Sequence, residues 1–334
     1  MKLTKCTPQK DSNLMRYLFL ISLTLIAILM TNCTSKELKK SPFLFKNSDQ
    51  GIELQENGKP VFFYQRTPKS LTGEYICSNY IHPLYSLNGD TLTEEFPADH
   101  PYHRGVFWTW HQLFADNVSL GDGWINDGIS QDVITAKTEK ESDRALISLD
   151  VMWKSSTYEN GKPFLHEHTV IIVHQLKSKL RKIDFEITLK PLTAGLQIGG
   201  SADKKGYGGF CVRLKCPESL VFTSEKGRIT PQELQSESGP WMDFSAGFST
   251  GSAVSGLTIL SHPGNPDFPE PWILRQKGSM QNVVFPGQNK ITIPVEKPVV
   301  LRYRIIIHNG NAESLDIPDL QSEYGKTDLI NIFK

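Results

Sequence analysis

Little in this chain announces a function. Its formal net charge is zero, with 36 basic against 36 acidic residues. There is no general basic field for nucleic acid, and no nucleic-acid partner is expected. Cysteine is scarce, with five in 334 residues. Cys6 falls in the leader and Cys33 directly after it. That leaves Cys77, Cys211 and Cys216, an odd number that implies no disulfide framework. No CxxC occurs. Cys211 and Cys216 would point awkwardly at each other on one strand, so buried free thiols are expected. Helix signals are few, and no GxSxG nucleophile elbow is expected. Only one apolar run is long, Tyr17–Met30 (YLFLISLTLIAILM), and at 14 residues it falls short of the roughly 20 that span a bilayer.

That run is the first feature present. Lys10 and Arg16 precede it. Met30-Thr31-Asn32-Cys33 and the polar stretch TSKELKK follow it. A short apolar core followed at once by a lone cysteine reads as a lipoprotein signal peptide. The expectation is a leader over residues 1–32, lipid on Cys33, and a polar tether over 33–41. The chain would then be exported and lipid-anchored to a bacterial membrane, in the periplasm or at the outer surface. Met15 is an alternative start. Met30 and Asn32 depart from the usual Leu and small residue of the cleavage box. The plainer alternative is an ordinary signal peptide with Cys33 incidental.

Beyond the leader, strand signals dominate. IELQENGKPVFFYQ reads as strand, Asn-Gly turn, strand. Ile183, Phe185, Ile187 and Leu189 alternate with Lys182, Asp184, Glu186 and Thr188, which predicts a strand with one solvated face. GGFCVRLKC, AVSGLTILSH, NKITIPV and VVLRYRIIIHN continue the series. Short strands with Gly, Pro and Asn between them point to one all-β sandwich over residues 42–334. Long loops are expected at 82–132, 197–209, 224–246 and 262–288.

Three clusters carry candidate chemistry. The first runs from His82-Pro83 through Asp99-His100-Pro101-Tyr102-His103-Arg104-Gly105 to Trp108-Thr109-Trp110-His111. Four of the nine histidines fall in it. Histidine titrates near neutral pH and also binds metal. His100 and His103, three apart beside Asp99 and Arg104, would serve as metal ligands on a turn or as an acid–base pair beside a cation. The plainer reading is a loop pinned by hydrogen bonds. The second cluster is Asp203-Lys204-Lys205-Gly206-Tyr207-Gly208-Gly209-Phe210, ending at Arg213. Its glycines would let backbone approach a ligand, but no GK[ST] follows at phosphate-loop spacing, and an ordinary turn fits as well. The third is His262-Pro263-Gly264-Asn265-Pro266-Asp267-Phe268-Pro269-Glu270-Pro271-Trp272, a proline-stiffened loop. It would suit a site or a simple cover. His166 and His168 would share one face of a strand, with Glu167 on the other. Exposed histidines are the commoner outcome there. Asp150, Glu159 and Glu186 show no glycosidase carboxylate pattern.

Taken in order, the clusters resemble a bacterial family of unknown function often labelled "methane oxygenase PmoA". The resemblance rests on His82-Pro83, Phe96-Pro97-Ala98-Asp99-His100-Pro101-Tyr102-His103-Arg104-Gly105-Val106-Phe107, Lys205 to Arg213, and His262 to Trp272. It covers most of the chain after the leader. Members of that family carry Asp-Thr-Lys-Glu-Gly where this chain has Asp203-Lys204-Lys205-Gly206-Tyr207. The oxygenase behind the label is a polytopic membrane protein, whereas no second apolar run here approaches spanning length. The layout is closer to the galactose-mutarotase-like β-supersandwich. That likeness implies a carbohydrate-active protein with saccharide in a cleft across one sheet. On that view His100, His103, His111 and His262 are acid–base candidates, with His100 and His103 also candidate metal ligands. Arg104, Lys205 and Arg213 would bind or polarise an oxygen. His82, Tyr102, Trp108, Trp110, Tyr207, Asn265 and Trp272 would line the saccharide site, the tryptophans stacking on sugar. A divalent metal fits the residues without being required by them. The alternatives are a saccharide-binding lipoprotein without turnover and, following the label, a metal-dependent oxidoreductase.

Overall fold

The computed structural model describes residues 1–4 and 40–327. Ser41–Lys334 form one compact unit and Met1–Lys40 another. The leader features, including Tyr17–Met30, Met15 and Cys33, lie outside the described residues. Among the described residues no helix is long and apolar enough to cross a membrane.

The larger unit is a nearly all-β structure of three antiparallel sheets. The eight-stranded sheet runs, edge to edge, Phe43–Asn47, Gly51–Glu56, Lys59–Gln65, Tyr80–Leu84, Val106–Trp110, Gly208–Val212, Gln281–Val284 and Trp272–Ile273. The nine-stranded sheet runs Gly227–Ile229, Val221–Ser224, Trp241–Ala246, Ser255–Ser261, Val299–Asn309, Leu180–Pro191, Pro163–His174, Arg144–Ser155 and Ile129–Lys140. A third sheet joins Ile291–Thr292, Leu196–Gly199, Gln112–Ala115 and Val118–Gly121. The two large sheets share one core. Across it Trp108 meets Phe185 (6.2 Å between ring centres), Phe185 meets Phe210 (5.2 Å), and Phe210 stacks on Tyr303 (4.5 Å).

The expected hairpin is present. Asn57 and Gly58 both take positive φ (50° and 77°) between Gly51–Glu56 and Lys59–Gln65, as a two-residue hairpin turn requires. Ile183, Phe185, Ile187 and Leu189 are fully buried, as their alternation predicts. The opposite face is not the solvated surface expected of it. Asp184 is 1% exposed and takes two hydrogen bonds from Arg304. The helix Ile317–Gly325 lies close to this face: Arg304 lies 4.5 Å from the Tyr324 ring, and Lys182 pairs with Glu323. Asp316 caps that helix, accepting from Asp319 N–H at 3.0 Å. The expected long loops are also shorter than anticipated. Val106–Trp110, Gln112–Ala115, Val118–Gly121, Trp241–Ala246 and Gln281–Val284 are strands inside or at the ends of them. Val106–Trp110, Trp241–Ala246 and Gln281–Val284 are buried at every position; even Asp243 and Ser245, which alternate with Met242, Phe244 and Ala246, mark no solvated face.

Strand Val106–Trp110 positions the site. Its even positions Val106, Trp108 and Trp110 enter the main core. Phe107 faces the other way, into a second apolar cluster with Cys77, Tyr80, Phe96, Trp124, Cys211 and Met280. That cluster lies on the outer face of the eight-stranded sheet, under the loop that holds residues 85–105.

Candidate functional site: two aspartate-held histidines beside a cationic cleft

The loop enters strand Val106–Trp110 through Gly105. Its φ is +36°, and a Cβ there would lie 1.8 Å from the Ile81 carbonyl oxygen. Only glycine lets His103 and Arg104 approach the sheet this closely. Arg213, at the end of the second cluster, organises the loop from the neighbouring strand. Its Nε donates to Glu94 (2.9 Å), its Nη2 to both oxygens of Asp99 (2.9 and 3.1 Å), and its Nη1 to Nδ1 of His103 (3.2 Å). A guanidinium only donates, so His103 Nδ1 accepts and its proton sits on Nε2. Burial, then the neighbouring His100 and Arg213, push the His103 pKa down to about 2. This ring is neutral at any ordinary pH.

His100 is different. It is partly exposed, and its Nδ1 bonds Asp99 Oδ2 at 2.8 Å. Burial alone would raise the Asp99 carboxyl, but the bonds from His100 and Arg213 outweigh it and hold the group below its usual range. Asp99 therefore fixes the proton of His100 on Nδ1 and leaves Nε2 free to accept, the orientation that acid–base histidines use. A second pair repeats the device: His111 Nδ1 meets Asp122 Oδ2 at 2.8 Å. Asp122 is held in turn by the backbone N–H of Trp124 (2.8 Å).

Trp124 connects these groups. Its ring stacks on His111 (4.9 Å, 17°) and touches Tyr207 (5.3 Å), Phe107 (5.9 Å) and His103 (6.2 Å). His103 in turn stacks on His100 (4.6 Å, 3°) and meets the Tyr102 edge (4.8 Å). Beyond Tyr207 opens a cleft of about 450 Å³, lined among others by His100, Lys205, Tyr207, Glu233, Arg275 and Lys277. Asp203 closes the turn beneath it, accepting from the N–H groups of Lys205 (3.0 Å) and Gly206 (3.3 Å). Arg104 lies fully buried behind, 4.5 Å from the Phe107 ring.

The first two clusters thus form one site. The third does not join it. His262 packs on Tyr324 (5.1 Å), on the nine-stranded sheet's side. Asn265 is 6% exposed and ties its loop to Ser261, Glu270 and the Arg302 backbone. The anticipated stacking tryptophans need the same correction. Trp108, Trp110 and Trp272 are 1%, 0% and 0% exposed. Trp110 donates to the Phe285 carbonyl and Trp272 to that of Gly239, each at 2.8 Å. They fill the core, and the half-buried aromatic rings by the cleft are Tyr102 and Tyr207. His82 bonds Thr93 (2.9 Å), and burial lowers its pKa to about 4.

The rings of His100 and His103 are parallel and stacked, and Nδ1 of each is already engaged, by Asp99 on His100 and by Arg213 on His103, which leaves Nε2 as the free nitrogen of each ring. Among the described residues no three His, Cys, Asp or Glu side chains gather to hold a metal ion. His166 and His168 both bond Asp150 Oδ1 (3.0 and 3.1 Å), while Glu167 is buried on the opposite face. The letters of a GxSxG motif do occur, at Gly247–Gly251. They lie between strands Trp241–Ala246 and Ser255–Ser261 with no helix after them, so no nucleophile elbow forms. Cys77, Cys211 and Cys216 are free thiols.

A family model described as a family of unknown function, DUF6807, matches residues 51–321. The chain belongs to this family. The DUF6807 span holds both aspartate–histidine pairs, Trp124, Arg213 and the cleft. No curated protein matches the chain. Six members of the site escaped the sequence reading: Asp122, Trp124, Glu94, Glu233, Arg275 and Lys277. The Asp122-Gly123-Trp124 triplet was the available signal for two of them. Gly123 has room for no side chain, since a Cβ would lie 2.8 Å from Thr109 Oγ1.

Proposed function

We propose that this protein is an exported, lipid-anchored, carbohydrate-active enzyme on a galactose-mutarotase-like sandwich, working by histidine acid–base chemistry at the cleft beside Tyr207. The observation that carries the reading is the Arg213–Asp99–His100 chain. A carboxylate pinned by a guanidinium orients a partly exposed imidazole at the edge of a cleft floored by a tyrosine ring. Aromatic faces suit the C–H faces of sugar rings, and a few convergent polar groups fix orientation. His100 would take or give the proton at the sugar carbon or oxygen through Nε2. His111, held by Asp122 across the Trp124 ring, is the candidate for the complementary proton. His103, neutral and bonded to Arg213, supports His100 from below. Hydrolysis, elimination and epimerisation all use such a pair. Among the described residues no three His, Cys, Asp or Glu side chains gather as a ligand set of the kind a metal-dependent oxidation would use.

The test is a screen of the protein against oligosaccharides, following new reducing ends, unsaturated products and epimers, with Asp99→Asn measured beside it. Asp99→Asn leaves an amide where His100 needs a carboxylate, so kcat is expected to fall about 10²–10⁴-fold. Unchanged kcat in Asp99→Asn would overturn the mechanism. Saccharide binding without any turnover would favour the second reading, a binding lipoprotein, for which the Tyr102 and Tyr207 faces suffice.

A further inference from the structure

We propose that the saccharide taken by this cleft is acidic, carrying a carboxylate or sulfate group that Arg275, Lys277 and Lys205 recognise. The inference rests on the saccharide reading above and adds the substrate class. The lining of the cleft holds three fixed cations, Lys205, Arg275 and Lys277, together with His100 and a single carboxylate, Glu233. A chain of zero net charge therefore concentrates positive charge here. Lys205 lies 3.4 Å from Glu233, and Glu233 is largely exposed, so this pair is weak and easily exchanged. Arg275 spends its N–H groups on neutral carbonyls: Nη1 on Gln232 and Leu274, Nη2 on Glu233. Those bonds hold the fork rigid, 5.4 Å from the Tyr207 ring, and leave its charge uncompensated. Among the described residues no carboxylate lies within ion-pair distance of Arg275 or Lys277. Asp99 also reaches this edge, since its Oδ2 would lie 3.2 Å from a Cβ on Gly278, but it is committed to Arg213 and His100.

A second observation points the same way. Arg104 is fully buried, and among the described residues it has no carboxylate partner. Nη1 donates to the Tyr102 carbonyl (3.1 Å) and Nη2 to Asn126 Oδ1 (3.4 Å), while Nε and the Asn126 Nδ2 beside it have no partner. A buried cation without a counter-charge is costly to a fold. This one sits behind the Phe107–Trp124–Tyr207 seam that leads to the cleft. In poorly solvated surroundings its field reaches further than a surface charge would, and it adds to the attraction for an anion. A neutral sugar needs hydroxyl partners and no net charge. Planar guanidinium beside an aromatic face matches a carboxylate or sulfate next to a pyranose ring.

The experiment is calorimetric titration of the protein with three probes: a galacturonate oligosaccharide, a sulfated galactan oligosaccharide and a neutral galactan oligosaccharide of equal length. Lys277→Ala and Lys205→Ala are titrated in parallel, with thermal unfolding as the control for folding. One or both acidic probes should bind at least about tenfold tighter than the neutral one, with affinity falling as salt rises. Each lysine variant should weaken acidic binding several-fold at unchanged Tm. The two acidic arms separate carboxylate from sulfate. Equal binding of the neutral probe, no binding of either acidic probe, or lysine variants with undiminished affinity would each overturn the inference. Acidic binding with a turnover indifferent to Asp99→Asn would instead sink the acid–base reading alone.

Discussion

His103 and His100 sit stacked with opposite tautomers, and His103→Gln tests the buried ring of the two. The folded His103 has a pKa near 2 against 6.5 for a free imidazole. Between those values the unfolded chain takes up a proton that the folded chain refuses. Stability therefore falls as pH drops below 6.5, by about 1.4 kcal/mol per pH unit, and the loss stops growing only near pH 2. His82, lowered to about 4 by burial, adds a similar slope between pH 6.5 and 4. At pH 5, about 1.5 units down, each ring costs about 2 kcal/mol relative to pH 8. Gln keeps a carbonyl oxygen for the Arg213 N–H and cannot protonate. The variant should lose about 2 kcal/mol less than wild type between pH 8 and pH 5. Urea unfolding at the two pH values reads this directly, because His82 and the carboxylates common to both proteins cancel in the difference. Equal losses in variant and wild type would refute the reasoning, since His103 would then be protonating within the fold.

Other outcomes follow from the same contacts. Arg213→Lys keeps the charge but cannot reach Glu94, Asp99 and His103 together; Tm and kcat should fall in parallel. Trp110→Phe should cost about 1–3 kcal/mol in unfolding free energy through the lost volume and the lost bond to Phe285, with saccharide affinity unchanged. A loss of affinity at full stability would restore the stacking role. Asp184 has burial pushing its pKa up and Arg304 and His174 pulling it down, to about 2. Its contribution is full above the ordinary carboxyl value near 3.8 and is lost as pH falls through 2. Asp184→Asn should destabilise by about 3–5 kcal/mol at neutral pH, because Arg304 is left buried without its counter-charge, a change that thermal unfolding would report.

Local rules made part of this molecule legible. Asn57-Gly58 between two apolar stretches is a turn by backbone conformation alone, and the 183–189 alternation is a strand by period alone. Asp99, His100, His103 and Arg213 stood out because charged and titratable groups are dense there. Period fails where a strand is covered on both sides. Val106–Trp110 is buried throughout, so nothing in VFWTW tells which ring meets a ligand and which fills the core. Trp108 and Trp110 went to the core, while Trp124, from a segment without alternation, became the hub of the site. The His262–Trp272 loop misled for another reason: its prolines and Asn265 fit a rigid site and a structural stitch equally well. The burial of Asp184 depended on the C-terminal helix, whose docking against that face no local pattern encodes.

The central claim is that the first two clusters, and not the third, make the working site. Steady-state kinetics of His100→Gln and His262→Gln, on the substrate found in the oligosaccharide screen, tests it most directly. The account predicts that His100→Gln loses about 10²-fold or more in kcat with little change in KM, and that His262→Gln turns over like wild type. Full activity in His100→Gln, or loss confined to His262→Gln, would contradict it.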